Sequence, residues 1–499
     1  MVGLKRVREE SFALRRLARR TGRTGGPAIV SEVPERPVGA KLEMTYACNL
    51  RCGFCYTDSP RHTVAKTPEM SDEEYHEVTR QIIDLGVIET VVTGGEPLLR
   101  RELTLETIAR LSDAGIGVTL NTNGWFVDDD VAARMAEVPG LHVHVSVDGA
   151  TPSVHDTSRG MPGSWRRVIE AVHRMLEHGV VVHGVHVLTP DNEHELDDFL
   201  EQMWVLGMPF LRVTPVLPIG NAARGGEWTV DRPRMRRTIE EFMERRPGMT
   251  VRPQSATGLQ LAVRDDMPPG SMLVRPDGRV RIDSMNPFAF GHALEDGLAE
   301  CWERIRERWL DPSIETWVDS IGSTTGLPSA DVVPYLDDEV EVGTSVPSDE
   351  ERKVALELPV AQRVAPPAPS DPQAELAEAR GRVRELALSR RYKLGPVRAT
   401  GGPAHRFVRR TDIGTVTRLN ATASIVLDGL DGQTAGDAAG AVAVRYPEVD
   451  RSRVEDDVLG VVRTLTERGL VVPALASAPA YAFVESTPDL PDMNPGETA

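Results

Sequence analysis

From Val38 to about Ser255 the chain alternates short β-branched, apolar runs with longer stretches whose apolar positions recur at helical spacing, most of them bounded by Gly or Pro. That alternation is the pattern of βα units around a parallel sheet. Strands are predicted at Ala40–Tyr46, Thr90–Thr93, Gly117–Thr122, His142–Val147, Val180–Leu188 and Phe210–Pro215. Helices are predicted near Ser71–Leu85, Leu103–Ala114, Asp129–Ala136, Ser164–Glu177 and Glu193–Val205. Six strands in this order can roll into an open, partial (β/α)6 barrel, with functional residues at the strands' C-terminal ends.

Past about residue 258 the pattern changes. Met272 to Ile282 reads as two short strands joined at Pro276-Asp277-Gly278, where Gly supplies a positive φ, and a helix around Leu298–Trp309 follows. Between Pro328 and Asp371 the chain is rich in Pro, Ser, Asp and Glu without sustained period, the signature of an extended acidic linker. Helical period returns from Ala374 to Leu388; then Tyr392 to Pro473 reads as a hairpin followed by helices near Ala421–Leu427, Ala435–Arg445 and Arg453–Arg468. The expected division is a basic N-terminal segment (1–37), the α/β barrel (38–257), a short α+β extension (258–327), the linker (328–373), a C-terminal domain (374–475) and a frayed tail (476–499).

Composition narrows the function classes. The 499 residues are 40% hydrophobic and 26% charged, which suits two or three globular domains. The longest apolar stretch, Val180 to Leu188, is broken by His183 and His186 and is too short to span a membrane, so neither a spanning segment nor a membrane partner is expected. A net charge of −18 repels phosphate backbones and anionic lipid, and nucleic acid is not expected as a partner. The Arg-rich N-terminus lacks the apolar stretch of a signal peptide. Four cysteines cannot form a disulfide framework; three of them, Cys48, Cys52 and Cys55, are clustered, which points to a metal in a reducing, cytoplasmic setting.

Cys48-Asn-Leu-Arg-Cys52-Gly-Phe-Cys55 directly follows the first strand. Three thiolates at this spacing can hold three irons of a [4Fe–4S] cubane and leave the fourth iron open to an amine and a carboxylate. Zinc is the rival reading; it would want a fourth ligand, and the closest His is His62.

With an aromatic, Phe54, just before the third Cys, and with Thr93-Gly94-Gly95-Glu96-Pro97 ending the second strand, the chain resembles the radical S-adenosylmethionine (SAM) superfamily. The resemblance implies one [4Fe–4S] cluster on Cys48, Cys52 and Cys55. It places Gly94, Gly95 and Glu96 on the methionine amine of SAM, Phe54 on the adenine, Ser146 and Asp148 on a polar rim, and Arg159 near the methionine carboxylate. It also implies reductive cleavage of SAM to a 5′-deoxyadenosyl radical that takes a hydrogen atom from substrate, and a reductant such as a flavodoxin or ferredoxin. The residues themselves agree: a double Gly lets backbone come close, and Glu96 offers a charge-assisted bond to an ammonium. Turn chemistry alone also accounts for Gly94-Gly95, for Asp148-Gly149, and for Asn121 and Asn123.

The middle segment resembles a SPASM or twitch extension, but the family's cysteines after the hairpin are missing, with Ile282, Asp283 and Ser284 at the expected place. A single cluster is therefore expected. Leu419-Asn-Ala-Thr-Ala-Ser-Ile-Val-Leu427-Asp-Gly-Leu-Asp-Gly432, then Tyr446, then a last helix ending at Gly469 resemble the winged-helix-like PqqD domains that recognise ribosomally made peptides. A winged-helix DNA reader is the structural rival, but Glu455, Asp456 and Asp457 spoil a basic groove-facing helix.

These resemblances imply an enzyme that modifies a precursor peptide whose leader binds the C-terminal domain. The rivals are a radical SAM enzyme acting on a small molecule or tetrapyrrole, and a catalytically silent, cluster-bearing peptide scaffold. Thioether formation, crosslinking, epimerisation and decarboxylation remain equally open. Cys301, on a predicted helix, is expected either as a small buried hydrophobe or as a hydrogen-atom donor in an epimerisation.

Overall fold

The computed structural model describes residues 33–60, 63, 68–217, 220–224, 228–246, 248–253, 268–284, 288–314, 340–341, 369, 371–400 and 406–476. The N-terminal segment through residue 32, nearly all of the expected linker, the tail from 477 and His62 lie outside the described residues. The chain forms two compact units that divide between Leu386 and Ala387, with Glu177–Gly179 grouped in the second.

In the first unit, β1 (Gly39–Glu43), α1 (Asp72–Leu85), β2 (Glu89–Thr93), α2 (Arg101–Asp113), β3 (Gly117–Thr122), α3 (Asp129–Ala136), β4 (His142–Ser146), α4 (Pro152–Arg159), α5 (Ser164–Glu177), β5 (Val181–Leu188), α6 (Leu196–Leu206), β6 (Phe210–Pro215), α7 (Arg232–Arg245) and β7 (Thr250–Pro253) follow one another. Each strand from β1 to β7 pairs parallel with the next. Then come β8 (Ser271–Val274), β9 (Arg279–Arg281), β10 (Phe288–His292), α8 (Leu298–Arg308) and β11 (Val340–Glu341). The sheet is open, in the order β11-β10-β9-β8-β1-β2-β3-β4-β5-β6-β7.

Alternation along the strands decides the two faces. Leu42, Val92, Leu120, Val143, Val145, Val182, Leu211 and Val213 are buried in one core with Tyr75, Val78, Ile82, Ile108, Val168 and Phe199 from the helices. Residues between them, such as Lys41, Asn121, His144, His183 and Arg212, stand on the opposite face. Helix starts are set by local chemistry. Before α1 the Ser71 side chain accepts from the Glu74 N–H while the Glu74 carboxylate accepts from the Ser71 N–H at 2.7 Å, a reciprocal cap worth about 1 kcal/mol.

Three elements of the barrel escaped the apolar pattern, α7 among them. Helix α4 buries His155, Asp156, Ser158 and Arg159, so its inward face is polar and shows no apolar stripe. Strand β7 is only four residues and ends in Pro. The barrel part of the sheet therefore has seven parallel strands where six were predicted. The hairpin predicted from Met272 to Ile282 forms as β8 and β9, but β8 also pairs parallel with β1, which merges the extension into the barrel sheet.

Helix α9 (Pro372–Ser389), expected to open the C-terminal domain, groups with the first unit as far as Leu386. The Glu375 carboxylate there accepts from the Ser153 N–H at 2.9 Å and the Ser153 hydroxyl at 2.7 Å. The second unit contains β12 (Tyr392–Leu394), β13 (Val397–Thr400), β14 (Arg406–Arg410), β15 (Val416–Leu419), α10 (Ala421–Asp428), α11 (Ala435–Arg445), α12 (Arg451–Glu467) and β16 (Val471–Pro473). The predicted hairpin is a three-stranded antiparallel sheet, β13-β14-β15, and β12 pairs with β16. Val408, Leu419, Val426, Leu427, Val442, Val458 and Val462 are buried between this sheet and the three helices.

Candidate active site

Past Glu43 the chain leaves β1 and is held by its neighbours as it turns into the cysteine loop. The Met44 N–H donates to the Thr93 carbonyl at 2.8 Å, the Gly95 N–H to Thr45 at 2.7 Å and the Glu96 N–H to Ala47 at 2.8 Å. Gly95 is obligatory, since a Cβ there would stand 2.0 Å from the Ala47 carbonyl oxygen. The close approach that the Gly94-Gly95 pair permits is thus to the chain's own backbone. On the other side, the Asn221 N–H donates to the Cys55 carbonyl at 2.8 Å and the Asn221 side-chain amide to the Cys52 carbonyl at 2.9 Å. From α4, the Arg159 carbonyl accepts from the Arg51 N–H at 3.0 Å.

Each thiol in this loop faces a donor or a hydroxyl. Cys48 Sγ lies 3.4 Å from the Leu50 N–H and 3.8 Å from the Asn123 amide nitrogen. Cys52 Sγ lies 3.7 Å from Arg159 Nη1, and Cys55 Sγ 3.3 Å from the Thr57 hydroxyl. Burial pushes the Cys52 thiol up to about 11, against the pull of Arg159, and pushes Cys48 up as well. Thiols held this way need a cation to become thiolates, and donors aimed at sulfur tune a cluster once it forms. Among the described residues no three His, Cys, Asp or Glu side chains converge on one point as a single ion requires. Three thiolates serving three different irons of a cubane need no such convergence, so the donor set fits the cluster.

Glu96 is buried, and burial raises its carboxyl to about 7. Three donors oppose that rise: the Leu98 N–H at 3.1 Å, the Thr122 hydroxyl at 2.8 Å and the Asn123 N–H at 2.8 Å. A carboxylate has about four lone-pair directions, so Glu96 ties β2 to β3 and keeps room for about one further donor. The Asn123 side-chain amide also donates to Asn49 Oδ1 at 2.9 Å, beside the cysteines. Among the described residues, the buried polar atoms without a hydrogen-bond partner include three at these strand ends, Asn49 Nδ2, Asn121 Oδ1 and Glu43 Oε1. Orphaned polar atoms beside the three-cysteine loop suit a polar ligand seated on it.

The sign of the Glu96 shift can be tested in the ligand-free protein. A carboxyl raised from 4.5 to about 7 on folding adds stability below the lower value and loses it as pH rises through the upper one. Wild type minus Glu96→Gln, followed by chemical denaturation, should therefore fall between about pH 4.5 and 7. A pH-independent difference would contradict the assignment.

Asp148 is fully buried. Its Oδ1 accepts from the Val187 N–H at 2.7 Å and its Oδ2 lies 2.6 Å from Arg159 Nη2. Resemblance placed Asp148 on a polar rim and Arg159 near the methionine carboxylate; the structure pairs them with each other and joins the pair to Cys52. Arg159 also stands over the Phe54 ring at 5.3 Å, and Trp228 meets that ring edge-on at 6.5 Å. Phe54 packs with Leu50, Cys52, Val216 and Ala222, with Trp125 against them, an apolar box around the cysteines. Ser146 ends β4, half-buried on the face shared with His144.

The extension brings residues that sequence reasoning did not single out. Arg275, just past β8, is buried with Glu43 at 2.8 Å, and Lys41 on β1 donates to the Ser284 hydroxyl at 2.8 Å and the Tyr56 hydroxyl at 3.2 Å. Ser284 stands where the family's auxiliary-cluster cysteines were expected, and there it binds a lysine. Cys301 lies elsewhere. It is buried in the main core on α8, and burial pushes its thiol up to about 12. The structure does not bring it to the other site residues, which is the packing of a small buried hydrophobe.

Residues 42–203 match the sequence model of the Radical SAM superfamily, and residues 404–471 that of Coenzyme PQQ synthesis protein D (PqqD). The chain carries a radical SAM domain and a PqqD domain. The radical SAM domain spans every cysteine of the loop, Gly94 to Glu96, Ser146, Asp148 and Arg159; the superfamily's resident groups are a [4Fe–4S] cluster and SAM. Mycofactocin maturase MftC of Mycobacterium ulcerans is 30% identical over 190 residues, 38% of this chain and 50% of that protein. Sporulation killing factor maturation protein SkfB of Bacillus subtilis is 25% identical over 272 residues, 53% of this chain and 64% of its own length. AdoMet-dependent heme synthase of Nitratidesulfovibrio vulgaris is 26% identical over 181 residues, 36% and 48%. The chain thus spans between about half and just under two thirds of these curated relatives. No helix among the described residues is long and apolar enough to cross a membrane.

Proposed function

We propose that this chain is a radical SAM enzyme that modifies a ribosomally made precursor peptide, acting in the cytoplasm with a flavodoxin or ferredoxin as reductant. The observation that carries the reading is the pairing of a three-cysteine radical SAM domain with a PqqD domain on one chain. Likeness to two maturases supports it. Cys48, Cys52 and Cys55 would hold the cluster, which would pass one electron from the reductant to SAM, and SAM would supply, with methionine as the other fragment, the 5′-deoxyadenosyl radical that takes a hydrogen atom from an unactivated carbon.

The remaining work falls to the protein. Glu96, with its one open direction, takes the methionine ammonium, and the backbone at Gly94 and Gly95 passes close beside it. Phe54 and the apolar box provide a dry wall for the adenine, and Ser146 a polar contact at the rim. Arg159 neutralises the buried Asp148 and holds Cys52; its role toward the methionine carboxylate shares the same guanidinium. Water exclusion protects a reactive radical, and Trp125 and Trp228 supply it.

Deleting residues 390–499 should leave cluster absorbance and slow SAM cleavage while abolishing capture of the precursor's leader, because every cluster and cofactor residue precedes the cut. Fluorescence anisotropy with a labelled leader decides it; equal affinity in both proteins would refute a recognition role for the second unit.

A second reading, chemistry on a tetrapyrrole or other small molecule, draws on the heme synthase likeness, which spans only 181 residues. It leaves the PqqD domain without a task. A silent scaffold is tested by the same assay: 5′-deoxyadenosine formed by the purified, reconstituted protein excludes it.

A further inference from the structure

The outward face of the three-stranded sheet in the second unit is rich in arginine, and its own strands carry no acidic residue. In register, Arg398 lies opposite Arg409 and Arg409 opposite Val416; one step along, Thr400 lies opposite Phe407 and Phe407 opposite Arg418. All six are exposed, whereas Val408, Thr417 and Leu419 between them are buried, so the six form one solvent-facing grid. Phe407 is 45% and Val416 61% exposed, large apolar groups left in water.

Like charges directly across an antiparallel pair are destabilising, yet Arg398 and Arg409 face one another. None of the residues in β13, β14 and β15 is acidic. The carboxylates at the sheet's margins are engaged, Asp412 by Arg410 and Asp428 by Arg406. A cationic grid with two apolar groups, on a chain of net charge −18, is an arrangement that folding alone does not favour.

We propose that this Arg–Phe face binds an extended acidic peptide segment that has carboxylates at alternate positions and apolar side chains beside them. The inference rests on the proposed function in one respect: the segment would belong to the precursor's leader. A strand shows alternate side chains to one face, so carboxylates two residues apart recur about every 6.6 Å and can meet successive guanidiniums. Planar guanidiniums pair with carboxylates through two parallel bonds, and Phe407 and Val416 cover the apolar neighbours. An oligonucleotide would meet the same cations and the same overall field, but it has no aliphatic side chains for the exposed Val416 to cover, so the apolar pair favours the peptide.

The test uses the full chain and three fluorescein-labelled probes: an octapeptide alternating Glu with Val and Leu, the same peptide with Lys for Glu, and a single-stranded DNA. At about 50 mM salt the acidic probe should bind wild type, and the lysine probe and the DNA should not. R398Q/R409Q should bind the acidic probe about tenfold more weakly or worse, with a melting temperature equal to or above wild type because the repulsion is gone. Should that variant fail to fold, R398K/R409K keeps the charge and should keep measurable binding while losing the paired geometry.

Equal affinity of R398Q/R409Q and wild type, no binding of the acidic probe by wild type, or tighter binding of DNA lost in the same variant would each overturn the proposal. Failure here and failure of the enzymatic reading are separable by measuring 5′-deoxyadenosine. A protein that cleaves SAM but ignores the acidic probe refutes this face alone, and one that binds the probe but never cleaves SAM refutes the enzymatic reading alone.

Discussion

Replacing Cys48, Cys52 and Cys55 together with alanine should give a folded protein that reconstitutes without cluster iron and forms no 5′-deoxyadenosine. The loop's shape does not depend on the sulfurs. It is held by backbone bonds from Gly95, Glu96 and Asn221 and by the Arg159 carbonyl, none of which involves a thiol. Removing two half-buried sulfurs and one buried one should therefore cost little stability, while removing every soft ligand of the loop takes away the cluster. Iron analysis and visible absorbance after anaerobic reconstitution measure the outcome. An intact cubane in the triple variant, or about eight irons per wild-type chain, would refute a single cluster on these three residues.

Gly95→Ala should be nearly as damaging through a different cause. The added methyl would meet the Ala47 carbonyl oxygen at 2.0 Å and its carbon at 2.5 Å, and these are backbone atoms with no rotamer to escape into. The β2 end must then move away from the cysteine loop, breaking the bonds from Gly95 to Thr45 and from Glu96 to Ala47. A loss on the order of 3 kcal/mol or more is expected, with cluster content falling as the loop loses its frame. Gly270→Ala is the control, since nothing lies within 4 Å of its Cβ position. A Gly95→Ala protein that melts and binds iron as wild type does would mean that the strand ends are not spliced as described.

The parts of this site that could be read in the sequence are those whose chemistry is local. CxxxCxxC and Gly94-Gly95-Glu96 announce themselves because their spacing in the chain is also their function. Strand β3 and helices α3 and α5 matched their predicted bounds because their apolar residues follow a single period. The contacts of Asn221, Arg275 and Ser284 could not be found this way. Asn221 meets a carbonyl 169 positions away, Arg275 pairs with an acid 232 positions away, and Ser284 meets a lysine 243 positions away. Their residue types at those places carry no signal of their own. Arg159 and Asp148 were recognised by resemblance, but only the fold reveals that they satisfy each other, because a buried ion pair leaves no trace in periodicity.

The most direct measurement of the central claim is anaerobic incubation of the reconstituted full-length chain with SAM, a reductant and the peptide encoded by a neighbouring short reading frame, followed by mass spectrometry of peptide and cofactor. The account predicts a discrete mass change in the peptide that requires its leader, accompanied by 5′-deoxyadenosine. Unchanged peptide in a reaction that cleaves SAM and converts an added tetrapyrrole would contradict it.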